Sequence, residues 1–335
     1  MIARGKIIYF IRFFALVFLA ILPTRSSAAI GNYFSDVWTS ENGLPDSSVS
    51  AIAQTPDGYL WVGTHNGLAR FDGERFVTFD PANTPALTHA RVRKLFVDSR
   101  GTLWINTYDG SLTTLRQGAF ALERRNPRLS EAEMTLVSSS SNRVIFLTSR
   151  GDLLRKSLSS SVGKNWEETI PPNPGIAALC REDGRGTIWY CDSAGHLWRW
   201  LNEKRFEPLP KSVGLAERKI NCLTTDSGGH LWVGTDKGIA EWNGAKFQNV
   251  TPTNGETSVN VTFLFIAKNG SIWTVADGRL REAIGQRWIS EPNTFREIFS
   301  GDLSRLGAQE DRRGGLWFYN YGRGLLHLAA DGQIQ

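Results

Sequence analysis

A segment centred on an aromatic residue recurs along the chain at a nearly constant interval, and no other feature restricts the fold as strongly. YLWVGTHNGLARFDG (59–73) returns as HLWVGTDKGIAEWNG (230–244), and weaker copies fill the space between and beyond them. The central aromatics are Trp61, Trp104, Phe146, Trp189, Trp232, Trp273 and Trp317, spaced by 43, 42, 43, 43, 41 and 44 residues. Seven units with so little drift must share one local structure and one kind of neighbour.

Each unit has the same internal grammar. In the first, the apolar run VSAIAQ (49–54) meets a turn at Pro56-Asp57-Gly58, then an alternating segment around Trp61. A turn at Gly67, a short run LARF (68–71), a turn at Asp72-Gly73 and the run RFVTF (75–79) follow. Alternation with a period of two, punctuated by Asp-Gly and Asn-Gly, predicts antiparallel hairpins. Four strands in about 43 residues is the content of one propeller blade. The 33 glycines and 12 tryptophans, against 2 methionines, fit turns and strands better than long helices. The expected fold is all-β, a single seven-bladed β-propeller of four-stranded antiparallel blades over residues 29–335. YFSDVWT (33–39) precedes the first full unit and the last unit is one strand short, so the N-terminal strand is expected to complete the last blade and close the ring.

Residues 1–28 read as a signal peptide. Arg4, Lys6 and Arg12 precede or open the apolar run FFALVFLAIL (13–22), and Ser26-x-Ala28 or Ser27-x-Ala29 satisfies the small-x-small cleavage rule. Ten apolar residues are too few to span a bilayer comfortably. The leader also explains the net charge of +5: it holds four basic residues and no acid, and the rest of the chain is nearly neutral. A nucleic-acid surface is therefore not indicated, and a periplasmic location is expected.

The motifs NGLP (42–45), Val49-x-x-Ile52, DGYLWVGT (57–64) and NGLARFDG (66–73), followed by Arg75-Phe76, resemble the two-component regulator propeller repeat. The resemblance runs from about residue 33 to the end and is strongest in units one and five. It implies a periplasmic sensor region of the kind found in sensor and hybrid histidine kinases. No phosphoacceptor-histidine helix, nucleotide-binding lobe or receiver segment accompanies it here, so the expectation is an input module, either a fragment of a receptor or a stand-alone propeller. Its implied partner is a sensor kinase or other downstream signalling domain.

The repeated aromatics recur once per unit and are expected to pack between blades. Gly58, Gly63, Gly67 and Gly73 are assigned to turns that need positive φ. Cys180 and Cys191 lie almost symmetrically about Gly184-Arg185-Gly186 and carry two readings, a disulfide across one hairpin or ordinary reduced core residues. No Cys-x-x-Cys, His-Glu-x-x-His or Gly-x-Ser-x-Gly motif occurs, so no metal, cofactor or catalytic residue is nominated.

A ligand is expected on the face that carries the turns between second and third strands and the long loops near 80–91, 121–135, 157–175, 208–219, 248–258 and 290–305. The non-repeating side chains at its rim are His65, His89, Arg91, Tyr108, Asp109, Asp192, Arg218, Lys219, Asp236, Asp277, Tyr319 and Tyr321. Aromatic, acidic and arginine side chains suit stacking and hydroxyl hydrogen bonds, hence a carbohydrate or other small ligand; a homodimer is also compatible. Three readings follow: a ligand-binding sensor, a propeller enzyme of lyase or hydrolase type, and an interaction scaffold without a small ligand.

Overall fold

The repeat becomes structure as a series of four-stranded antiparallel sheets, each made from one stretch of the chain. In the computed structural model the described residues are 34–124, 134–139, 143–148, 153–158, 166–169, 179–192, 195–201, 205–210, 213–215, 218–252, 259–285, 287–289 and 302–329. All lie within Asn32–Gln335, which forms one unit by its contacts. The leader and parts of five of the six long loops fall outside the described residues.

The first sheet comprises Val49–Gln54, Leu60–Thr64, Gly67–Phe71 and Phe76–Phe79. Five further sheets of the same order span 92–124, 134–169, 179–208, 220–249 and 261–289. The seventh is different. Its three consecutive strands, Gly307–Glu310, Leu316–Asn320 and Gly324–Ala329, are joined on the outside by Phe34–Trp38, in register from Phe34 opposite Ala329 to Trp38 opposite Leu325.

Neighbouring sheets pack face to face. Separate apolar clusters join sheets one and two, two and three, four and five, five and six, six and seven, and seven and one. The first strands of most adjacent sheets also touch, including those of seven and one. Bulges near the start of the first strands in sheets one and five free Ser50 and Asn221 from the ladder. Each then donates to the first carbonyl of the next sheet: Ser50 Oγ to Val92 O at 2.7 Å, Asn221 Nδ2 to Val261 O at 3.0 Å. The bulge thus converts a ladder position into an inter-sheet bond.

The central aromatics lie where sheets meet, and Trp104, Phe146, Trp189 and Trp273 are at most 1% exposed. Trp232 is only half-buried. Buried indole N–H groups need acceptors, and a second periodic residue provides them. Six positions before the tryptophan, Asp98, Asp183, Asp226 and Asp311 accept from Trp104, Trp189, Trp232 and Trp317 at 2.8–3.1 Å. The other oxygen of each carboxylate accepts turn amides, as Asp98 Oδ1 does from Arg100 and Thr102. The first unit substitutes Thr55 Oγ1 for the carboxylate.

Two sequence expectations need correction. Gly58, Gly67 and Gly73 have positive φ, but Gly63 does not. Gly63 lies inside a strand, where a Cβ would come within 2.6 Å of Val92 of the next sheet; it is glycine because the sheets approach closely. Gly234 meets Val261 in the same way. The disulfide reading also fails. Cys191 is a free, buried thiol in a strand position paired with Leu179. Burial, with the nearby Asp192 charge, pushes the Cys191 thiol up to about 12. We expect Cys191 to resist iodoacetamide at pH 8 in the native protein and to react fully in denaturant; peptide mapping that finds it alkylated under native conditions would show this strand to be open.

Candidate functional site

Turns between second and third strands, and the segments leading into first strands, share one end of the sheets. At that end the chain uses a local clasp that explains several of the expected rim residues. In sheet five, Lys219 and Asp236 exchange bonds: Asp236 N donates to Lys219 O at 3.0 Å and Lys219 N to Asp236 Oδ1 at 2.8 Å. Asn260 and Asp277 repeat this in sheet six. In sheet two Tyr108 N donates to Arg91 O at 2.9 Å, but Tyr108 has no carboxylate to return the bond, and its ring is left for other contacts.

Asp192 and Asp109 are also occupied locally. Asp192 is buried and accepts from the His196 amide, the His196 ring and the Trp198 indole. Burial raises its pKa, but these bonds outweigh that and hold it below the ordinary value. Asp109 accepts from Thr107 and Ser111, and it too is lowered: burial acts upward, and hydrogen bonds from Thr88, Thr107 and Ser111 overcome it. The Tyr319 ring fills the space over Gly307 and packs against the apolar cluster between sheets seven and one. Arg218 is half-buried beside the sheet-five clasp, away from the cavity described next.

What converges is a smaller set, drawn from sheets seven, one and two. Arg91 lies over Tyr108 at 4.6 Å and Arg93 over the same ring at 4.3 Å. His89 packs 5.7 Å from Tyr108, and its Nδ1 accepts from the Arg91 amide at 3.0 Å. His65 meets Tyr321 edge-on at 4.9 Å, and Arg305 lies over Tyr321 at 5.1 Å. A cavity of about 530 Å³ opens between them, lined by Arg91, Asp302, Arg305, Asn320, Tyr321 and Arg323. The His65 pKa is lowered by burial and then by the Arg91 and Arg305 charges, against an opposing effect of Asp46.

Of the twelve expected rim residues, Arg91 and Tyr321 line this cavity, and His65, His89 and Tyr108 buttress it. Asp302, Arg305, Asn320 and Arg323 were missed. Arg305 ends the long loop named from the sequence, but only the pairing of the last sheet shows that this loop and the 321–323 turn meet.

Among the described residues, Asp226, His230 and Glu241 are near enough to share a metal ion, but the His230 ring already bonds Asp226 at 2.9 Å. The same Asp-His contact recurs at Asp192–His196, with no third ligand among the described residues, so it reads as turn architecture. No described helix is long and apolar enough to cross a membrane.

The two-component regulator propeller repeat matches residues 43–66 and 214–237. Histidine kinase P4 of Formosa agariphila is 38% identical over 63 residues, which make up 19% of this chain and 5% of the kinase. The extracellular domain of a protein described as a hybrid two-component system of B. thetaiotaomicron superposes with a TM-score of 0.66 at 19% identity, covering 89% of this chain and 42% of that one. Virginiamycin B lyase from Staphylococcus aureus gives 0.63 at 13% identity, covering 88% and 98%. Identities this low speak for the fold alone. Residues 43–66 and 214–237 thus match the two-component regulator propeller repeat, and the fold is similar to that of extracellular domains described as belonging to two-component systems.

Proposed function

We propose that the chain is the ligand-binding input propeller of a two-component signalling system, exported by residues 1–28 and working in the periplasm with a sensor kinase as its partner. The observation that carries this reading is the cavity between Arg91, Arg305 and Tyr321. It is built from side chains that do not repeat, at one end of a frame whose other positions do. The repeat match and the extracellular domains of similar fold support the signalling context. In this reading the sheets form a closed ring of seven blades, the last completed by Phe34–Trp38. Such a frame is rigid, and binding acts on rim side chains and on docking to the partner.

A lyase is the second reading, favoured by a similar fold that covers nearly all of a lyase chain and by His65 at the rim, an imidazole whose pKa is held below its ordinary value by burial and the Arg91 charge. One screen separates the two. Purified chain is incubated with a library of sugars, organic acids and cyclic peptides, with melting temperature and ligand mass both followed. The sensor reading expects a ligand that raises the melting temperature and is recovered intact. Tyr321→Ala should abolish that effect while changing the unliganded melting temperature by only a few degrees, because Tyr321 is exposed. Conversion of the ligand, lost in His65→Ala, would establish the lyase reading instead.

A further inference from the structure

The charge balance of the cavity says more about its occupant than its shape does. Among the described residues, three guanidinium groups, Arg91, Arg305 and Arg323, line it against one carboxylate, Asp302. That carboxylate is turned toward its own loop: it accepts from the Ser304 amide at 2.8 Å and the Ser304 hydroxyl at 2.9 Å. Among the described residues, neither Arg91 nor Arg305 has a carboxylate in ion-pair contact.

The two arginines are held by rings instead. Arg91 rests on Tyr108 and Arg305 on Tyr321. A guanidinium whose face is covered by an aromatic ring still presents its in-plane N–H donors, in the fork that matches an oxyanion. Holding the planes beforehand reduces the ordering cost of binding. Both charges also reach one imidazole, His65, where Asp46 acts in the opposite direction. Arg91 enters from the segment before sheet two and Arg305 from the segment before sheet seven, yet they act on a common volume. Asn320, whose Nδ2 donates to Asp302 O at 2.8 Å, fixes the floor of that volume to the Asp302–Arg305 segment.

We propose that this cavity recognises the oxyanion of a small acidic ligand, a carboxylate or a sulfate or phosphate ester, held between Arg91 and Arg305 with Tyr321 as a stacking wall. The inference rests on the ligand-binding reading above and narrows it to an anion. A planar wall beside two forks suits a ring bearing an acidic group, such as a uronic acid or a sulfated sugar, better than a neutral sugar.

Matched probes test this. Calorimetry on the purified chain compares glucuronate with glucose, galacturonate with galactose, and galactose 6-sulfate and galactose 6-phosphate with galactose, at low and high sodium chloride. At least one charged probe should bind at least tenfold tighter than its neutral partner, and more weakly at high salt. Which charged probe wins identifies the oxyanion. Arg91→Gln and Arg305→Gln should each weaken that probe at least tenfold, with circular dichroism and melting unchanged. NMR supplies a readout that folding does not mimic: saturation with the anion offsets the arginine charges at His65, so its imidazole should titrate at higher pH than in the free protein. Equal binding of charged and neutral probes, absence of binding by every charged probe, or unchanged affinity in both arginine variants would overturn the inference. Neutral probes binding alone, and lost in Tyr321→Ala, would remove the anion while leaving the ligand-binding reading standing.

Discussion

A chain lacking residues 31–40 is expected to lose the single cooperative unfolding transition of the intact protein. Phe34–Trp38 is the outer strand of the last sheet, paired along its whole length with Gly324–Ala329. Trp38 stacks on Trp317 at 5.3 Å and meets Phe71 of the first sheet edge-on at 5.2 Å, so it ties the last sheet to the first. Removing it exposes a strand edge and uncovers the cluster containing Trp317, Leu325 and Phe71. Truncating one large buried aromatic costs about 3–5 kcal/mol, and whole domains are stable by about 5–15 kcal/mol. A strand together with a partly buried tryptophan is a large fraction of that total. Calorimetry should show a broad or split transition at lower temperature. An unchanged single transition would show that the junction between the last and first sheets contributes nothing to cooperativity.

Trp189→Ala is expected to destabilise by about 3–5 kcal/mol, and Trp232→Ala by clearly less, although the two occupy the same place in the repeat. Trp189 is 1% exposed, packs edge-on against Trp242 at 5.1 Å and donates to Asp183 at 2.8 Å. Trp232 is half-buried, and its acceptor Asp226 is shared with the exposed His230. Asp183→Ala should cost roughly 2–4 kcal/mol by stranding the Trp189 indole and the amides of Arg185 and Thr187. Urea titrations of the three variants decide the matter. Equal losses for the two tryptophans would mean that repeat position, and not burial, sets the cost.

The strand plan was legible because its signals are local. Val49–Gln54, Leu60–Thr64 and Gly67–Phe71 fall within a residue of the runs read from alternation and turn chemistry. The aspartate six residues before four of the central tryptophans keeps the period of the repeat and is visible in the sequence at Asp98, Asp183, Asp226 and Asp311. A turn aspartate looks the same in sequence whether it only caps the turn or also accepts from an indole. Gly63 was misread for the reverse reason: a glycine required by a neighbouring sheet looks, in sequence, like one required by φ. The sequence left the cysteine pair open between a disulfide and reduced core residues, because near-symmetry about a turn does not decide whether a thiol is paired; in the structure Cys191 is free.

The candidate site was legible only in outline. Its end of the sheets follows from the order of strands and turns, and Arg91 and Tyr321 were named. The sequence could not separate Asp236 and Asp277, which bond their own sheet, from Arg305, which faces a cavity. An aspartate in a turn has the same appearance whether its oxygens are satisfied or available.

By itself the sequence determined the period, the strand content, the glycine and Asp-Gly turns and the aromatic positions, because each of these is governed by interactions within a few residues. Only the tertiary structure decided which sheets touch, that Phe34–Trp38 pairs with Gly324–Ala329, and that Arg91 and Arg305, more than two hundred residues apart, act on the same imidazole. Those outcomes depend on sheets packing face to face and on register between distant strands, and the burial and electrostatic energies that select them exist only once the sheets have come together.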